Sequence, residues 1–211
     1  MYNTHQGAIS HYARSHPDSF ARVLQFAILT VRQPLRNVPV DTETAQQGGY
    51  EALGVLFGWK FQAYVDAWDT REAIYADCQG LARQYRHDDM QASRAIITRL
   101  CECWGFGPAK AGFVAQLVYG LAGCIDTHNI KRFGLAPRAF DNYCQLKTAK
   151  ARARKIAKYV DTCYALGGPE TLWDTWCEYV AANQGASYEN AEHVSALHCT
   201  ALGLDPNAVP F

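Results

Sequence analysis

An aspartate and a glycine-bounded turn carry the chemistry that this sequence offers. Asp126 stands directly before Thr127, His128 and Asn129, where it either caps the helix read over residues 127–133 or holds a carboxylate beside a reacting centre. In the second role it stabilises positive charge as that charge develops, and no proton has to leave the protein. Upstream, Gly105-Phe106-Gly107 reads as a tight turn in which two residues are free to take positive φ or bring backbone close to a partner. Pro108 suits the first turn of the next helix, and the open amides there suit an anion such as a phosphate. Lys110, in that first turn, is read as an anion contact or a solvated lysine. Asn129 is in reach of a phosphate, Lys131 and Arg132 supplement the charge, and His128 orients the loop or is simply structural.

These residues sit in the stretch 100–135, which reads as helix, turn, helix, break and a third helix. Ala111, Val114, Ala115 and Val118 give the middle helix a small apolar face that permits close packing across the turn. Before it, Ser15 is expected to cap a helix that starts at Pro17, runs through Phe20, Val23, Leu24, Ala27, Ile28 and Val31, and ends before Pro34. A loop follows over 34–49 with a helical turn from Asp41, then helices over 50–57, 60–68, 70–86 and 89–104. Phe57, Trp59, Phe61, Tyr64 and Trp68 form an aromatic set best read as a core stripe. Beyond Asp126 come a basic helix over 147–166 and two acidic, aromatic helices over 170–182 and 188–202. No segment alternates with the period of a strand and no repeat is present, so the expected fold class is all-α, about ten helices in one unit spanning 1–211.

Apolar residues make up 49% of the chain and charged ones 19%, the composition of an ordinary globular protein. No apolar run approaches the roughly 18 residues of a membrane span, and the first residues lack the pattern of a signal peptide, so a cytoplasmic location without membrane contact is expected. The eight cysteines form no CxxC pair and are read as free and mostly buried; neither a metal nor another cofactor is expected. Formal net charge is zero, yet six basic residues and no acidic one lie between Lys147 and Lys158, and no Lys or Arg follows. Such a face, with Lys150 and Arg154 at its centre, is either merely solvated or meets a polyanion locally. GFGPAK is not a dinucleotide fingerprint, and Walker, HExxH, GxSxG and zinc-deaminase patterns are missing.

Gly-Phe-Gly, Ala111 six residues after Gly105, and Ile125-Asp126-Thr127-His128 together resemble the helix-hairpin-helix DNA glycosylase superfamily, the group of endonuclease III and the adenine and alkylbase glycosylases. The resemblance covers about 35 residues. It implies a two-lobed helical glycosylase-like fold, DNA as partner, and a hairpin of Gly105, Phe106, Gly107 and Lys110 that grips the phosphate backbone. It also implies a flipped base and Asp126 as the catalytic carboxylate beside its sugar. Gln33 then corresponds to the residue that fills the gap left by the flipped base, unless it is a plain polar helix end; Trp59 and His128 become candidates for the base pocket, and Asn129 for a base edge.

Two departures matter. Ala109 stands where bifunctional members carry a lysine nucleophile, with Lys110 one residue on and about 100° around the helix, and the segment before Asp126 is about one residue shorter than in endonuclease III. Monofunctional N-glycosylase chemistry with water as nucleophile, by a monomer, is therefore the first expectation. The alternative is a hypermodification transferase that places an amine or amino-acid cosubstrate on an activated 5-hydroxymethylpyrimidine, as virus-encoded relatives of the glycosylases are thought to do. A DNA-binding module without catalysis is the third.

Overall fold

A computed structural model describes residues 2–31, 35–48, 58–140, 143–183 and 188–207. Among them are eleven α-helices and no strand, so the all-α expectation holds. The helices are α1 (Tyr2–Ser15), α2 (Pro17–Leu29), α3 (Val38–Gly48), α4 (Gly58–Asp69), α5 (Arg71–Gln84), α6 (Asp89–Leu100), α7 (Pro108–Tyr119), α8 (Thr127–Arg132), α9 (Ala149–Ala165), α10 (Gly168–Asn183) and α11 (Ala191–Ala201). No helix among the described residues is long and apolar enough to cross a membrane. The expected helix over 50–57 and the role of Gln33 lie outside the described residues.

Helix starts follow from local chemistry. Asp88, Thr148 and Asn190 cap α6, α9 and α11 by accepting the backbone N–H of Gln91, Ala151 and His193. Ser15 does not cap α2. Its hydroxyl turns back to Tyr12 O at 2.7 Å, and His16 takes the capping role, Nδ1 accepting from Asp18 N at 3.2 Å. Pro17, which has no N–H to satisfy, then opens the helix.

Helix α7 is the hub. Residues 111–118 are all buried, so apolar and small side chains cover every face, and α1, α2 and α6 pack around it. Helix α1, which has no counterpart in the sequence reading, closes one flank through Tyr2 Oη to Gln116 O (3.0 Å), Gln6 Nε2 to Leu117 O (3.2 Å) and Ser10 Oγ to Val118 O (2.6 Å). Helix α10 joins α8, α9 and α11 on the other side.

The aromatic stripe expected on α4 is not its core face. Lys60, Ala63, Tyr64 and Ala67 are buried, whereas Trp59 is 38% exposed and Phe61 and Trp68 are only partly covered. Small alanines allow α2 and α4 to approach closely, and Lys60 is accommodated because its ammonium donates to Val31 O. Helix α6 also ends four residues earlier than its periodicity suggests, at Leu100, so that 101–107 forms the connection to α7. Of the two glycines in that turn only Gly105 uses positive φ (80°); Gly107 is extended, with nothing within 4 Å of where a Cβ would sit.

Candidate functional site

The site is assembled by the loop that returns the chain from α7 to Asp126. Gly120 ends α7 in the left-handed conformation, its N–H bonding back to Ala115 O and Gln116 O. The loop then lies flat on α7 because Gly112 has no side chain there. The buried Tyr159 hydroxyl of α9 donates to Gly123 O (2.7 Å) and accepts from Ile125 N (2.9 Å). Burial raises the pKa of that phenol well above its ordinary value, so it remains a donor. Gln116 Oε1 accepts Cys124 N at 3.2 Å, and Asn129 Nδ2 donates to Cys124 O at 2.7 Å.

So delivered, Asp126 is fully oriented. Oδ1 accepts the backbone N–H of His128 and of Asn129, each at 3.0 Å, and Oδ2 accepts Trp176 Nε1 at 2.9 Å. Asp126 is therefore the cap of α8 and, at the same time, a wall of a cavity: the two readings of this residue do not exclude one another. The cavity has a volume of about 100 Å³, several times the order of 10–15 Å³ that one water occupies on this measure. Phe113, Trp173 and Trp176 give it aromatic sides; Lys110, Cys124, His128 and His198 add polar groups, and Thr30 and Leu35 close it from the α2 side.

Lys110 is in this cavity, whereas the sequence reads it as an anion contact or a solvated lysine. Its ammonium donates to Thr30 Oγ1 at 2.6 Å and lies 5.2 Å from the Phe113 ring centre. Burial lowers the pKa of the amine, an effect opposed by the nearby Asp126 carboxylate. The Cys124 thiol is pushed up by burial and by the Asp126 carboxylate, which keeps it protonated.

The other expected site residues divide. His128 lines the cavity, its ring edge-on to Trp176 with centres 6.1 Å apart. Asn129 is 1% exposed, its amide N–H groups spent on Cys124 O and Leu172 O, so it supports the loop and does not reach a phosphate. Phe106 is 3% exposed; its ring packs in the core and only backbone remains for a partner. Trp59 lies against Gly105, 3.4 Å from the position of a Cβ there, and does not line the cavity. In the connection before the turn, Asp66 accepts Trp104 N at 3.3 Å. Lys131, Lys150 and Arg154 are exposed as read. Five of the eight cysteines are buried, Cys101 and Cys124 are partly so, and Cys144 is exposed.

His198, Trp173 and Trp176 were not singled out from the sequence. The two tryptophans stand three apart on α10, a spacing that brings both to one face, while nothing local marks His198. Trp173 is fixed by Ser195 Oγ, which accepts its indole N–H (2.8 Å) and meets His5 Nδ1 (2.6 Å), so α1 braces the cavity wall. Ser195 and His5 have the partners of a nucleophile and base, but both are buried and neither lines the cavity.

Burial lowers the His198 pKa from 6.5 to about 4. The unfolded chain takes up this proton as pH falls below 6.5, and the folded chain only near pH 4. Stability is thus unaffected at neutral pH and lost across that window, on the order of 3 kcal/mol in total. His5 is shifted the same way, so the comparison needs a variant. Urea unfolding followed from neutral to acidic pH is expected to show a steeper loss in the native chain than in His198→Phe; equal slopes would assign the acid sensitivity elsewhere.

No protein-family model matches the chain, and no curated protein or solved structure is significantly similar to it.

Proposed function

We propose that this chain is a DNA-directed, base-acting enzyme of helix-hairpin-helix glycosylase type, in which α6, the turn and α7 form the hairpin and Asp126 promotes departure of a flipped base. The observation that carries the reading is that Asp126 and Lys110 share one aromatic-walled cavity. Phe113, Trp173 and Trp176 offer faces for a planar ring. Lys147, Lys150, Arg152, Arg154 and Lys158 are exposed and form no ion pair among the described residues, so they are available to phosphates. Lys155 joins this face to Arg138, donating to its carbonyl at 3.5 Å.

In this reading the carboxylate stabilises the sugar cation as the C1′–N bond breaks and the base leaves with the bonding pair. Water is one nucleophile. The Lys110 amine is a second, because its lowered pKa raises the neutral fraction and the cavity shields it. Attack by that amine forms an N–C1′ bond as the base departs, and ring opening of the sugar then yields an imine that borohydride reduces to a permanent adduct.

The test is mass spectrometry of products from DNAs carrying normal, damaged and 5-hydroxymethyl- or pyrophosphate-activated pyrimidines, with and without amino acids and borohydride. Free base and an abasic site are the expected products. An adduct that disappears in Lys110→Met assigns the amine as nucleophile, and its absence assigns water. A heavier nucleoside with its glycosidic bond intact would replace excision by amine transfer, and binding without any product would leave a DNA-binding module.

A further inference from the structure

His198 is the polar group of the cavity that Asp126 and Lys110 leave without a task. Its Nδ1 lies 3.0 Å from Val194 O and 3.2 Å from Ser195 O. Two carbonyl oxygens around one ring nitrogen require that nitrogen to carry the proton, so Nε2 keeps its lone pair. The residue is 1% exposed, lines the cavity, and has no partner for Nε2 among the described residues. Neighbouring rings do not supply one. Trp173, with its centre 4.5 Å away, gives its N–H to Ser195, and Trp176, at 5.5 Å, gives its own to Asp126. Burial keeps the imidazole neutral, which preserves the acceptor at physiological pH.

Other lining residues also present acceptors, beside the donors of Lys110, Cys124 and His128. Asp126 presents oxygens, and Asn129 Oδ1 is a second buried acceptor without a donor. Gln116 is committed at both ends, to Cys124 N and Pro169 O. Lys110 is a donor on the wall, spent on Thr30 Oγ1. An occupant that satisfies His198 Nε2 brings an N–H group, since a buried acceptor left unpaired is costly.

Building on the reading of the cavity as a base pocket, we propose that His198 is its specificity residue. Nε2 accepts an N–H from the exocyclic amino group of a cytosine- or adenine-type base stacked on the aromatic wall. The oxo counterparts are rejected because their carbonyl oxygen would face the imidazole lone pair, acceptor against acceptor.

Two base pairs of probes differ only by amino against oxo: cytosine with uracil, and adenine with hypoxanthine. Each is used as the free base, followed by tryptophan fluorescence, and as the single varied residue of otherwise identical oligonucleotides, followed by anisotropy at one salt concentration. The amino member of at least one pair is expected to bind about tenfold more tightly, the size of one neutral hydrogen bond, and the ratio should fall to about one in His198→Phe, which keeps a ring in the wall. Equal or reversed affinities in both pairs, or a preference that survives in His198→Phe, overturn the assignment. Should that variant fail to fold, ¹⁵N spectra of the native histidines decide: the Nε2 resonance of His198 is expected to move with the amino base and not with the oxo base, and an unmoved resonance overturns the assignment. Discrimination among free bases without oligonucleotide binding would remove the DNA reading and keep His198. Oligonucleotides bound without discrimination would do the reverse, and no binding of either would overturn both.

Discussion

Asp126→Asn is expected to lower turnover by about 10³-fold and to leave DNA affinity within about twofold, because affinity for the duplex comes from phosphate contacts on other residues. The choice of asparagine matters. Oδ1 of Asp126 caps α8 by accepting two backbone N–H groups, and an asparagine oxygen accepts them equally well. Alanine would remove the cap, at about 1 kcal/mol, and would also free the Trp176 indole that Oδ2 now holds. A loss of activity in Asp126→Ala is therefore ambiguous between chemistry and folding. In Asp126→Asn the charge is lost while the two cap bonds are kept; the amide nitrogen then meets the Trp176 N–H donor against donor, so the Trp176 bond is lost in either variant. Turnover on the substrate identified by mass spectrometry, read beside binding and thermal unfolding, separates the cases. Full activity in Asp126→Asn would reduce this residue to a cap and favour a non-catalytic module.

Gly112→Ala is expected to destabilise the fold by about 3 kcal/mol, near the upper part of the range for overpacking. Helix propensity by itself predicts the opposite sign, since alanine is favoured over glycine in a helix interior by about 1 kcal/mol. The clash decides the outcome. A Cβ at Gly112 would lie 2.4 Å from Gly123 O, 2.6 Å from the Tyr159 hydroxyl and 2.9 Å from its ring. The backbone carbonyl cannot rotate away, and moving Tyr159 breaks both hydrogen bonds that seat the loop before Asp126. Lost stability and misplaced carboxylate should thus appear together. Gly107→Ala is the control: φ is −115° and a Cβ there meets nothing within 4 Å, so denaturant midpoints close to those of the native chain are expected. A Gly112→Ala variant as stable as the native chain would show that the loop is not pressed onto α7.

The contrast between these two glycines, equal in the sequence and unequal in the fold, runs through the whole molecule. Helical class, the start of α6 at an aspartate, the break after α7 and the helix opened by Asp126 are legible in the chain because each depends on residues within a turn or two of one another. Periodicity also identified buried positions of α2 and α7, though α7 is buried on every face over 111–118 and not on one alone. It misled on α4, where Lys60 is buried and Trp59 exposed, because hydrophobicity alone does not reveal which face a neighbouring helix can approach. Helix α1 was missed for a related reason: its mean hydropathy is low, and what holds it are polar side chains bonded to carbonyls of α7, more than a hundred residues away.

By itself the sequence determined that the chain is helical, that Asp126 opens α8 after a turn bounded by glycines, and that positive charge is concentrated at the start of α9. Only the tertiary structure decided that Lys110 faces inward, that Phe106 and Asn129 are buried, and that Trp173, Trp176 and His198 complete the cavity. The physical reason is distance along the chain. A cap or an amphipathic face is set by contacts a few residues apart, whereas this cavity joins the end of α2, the first half of α7, and one face each of α10 and α11. Lys110 has two directions open to it on α7, and Thr30, eighty residues earlier, supplies the hydroxyl that selects one of them.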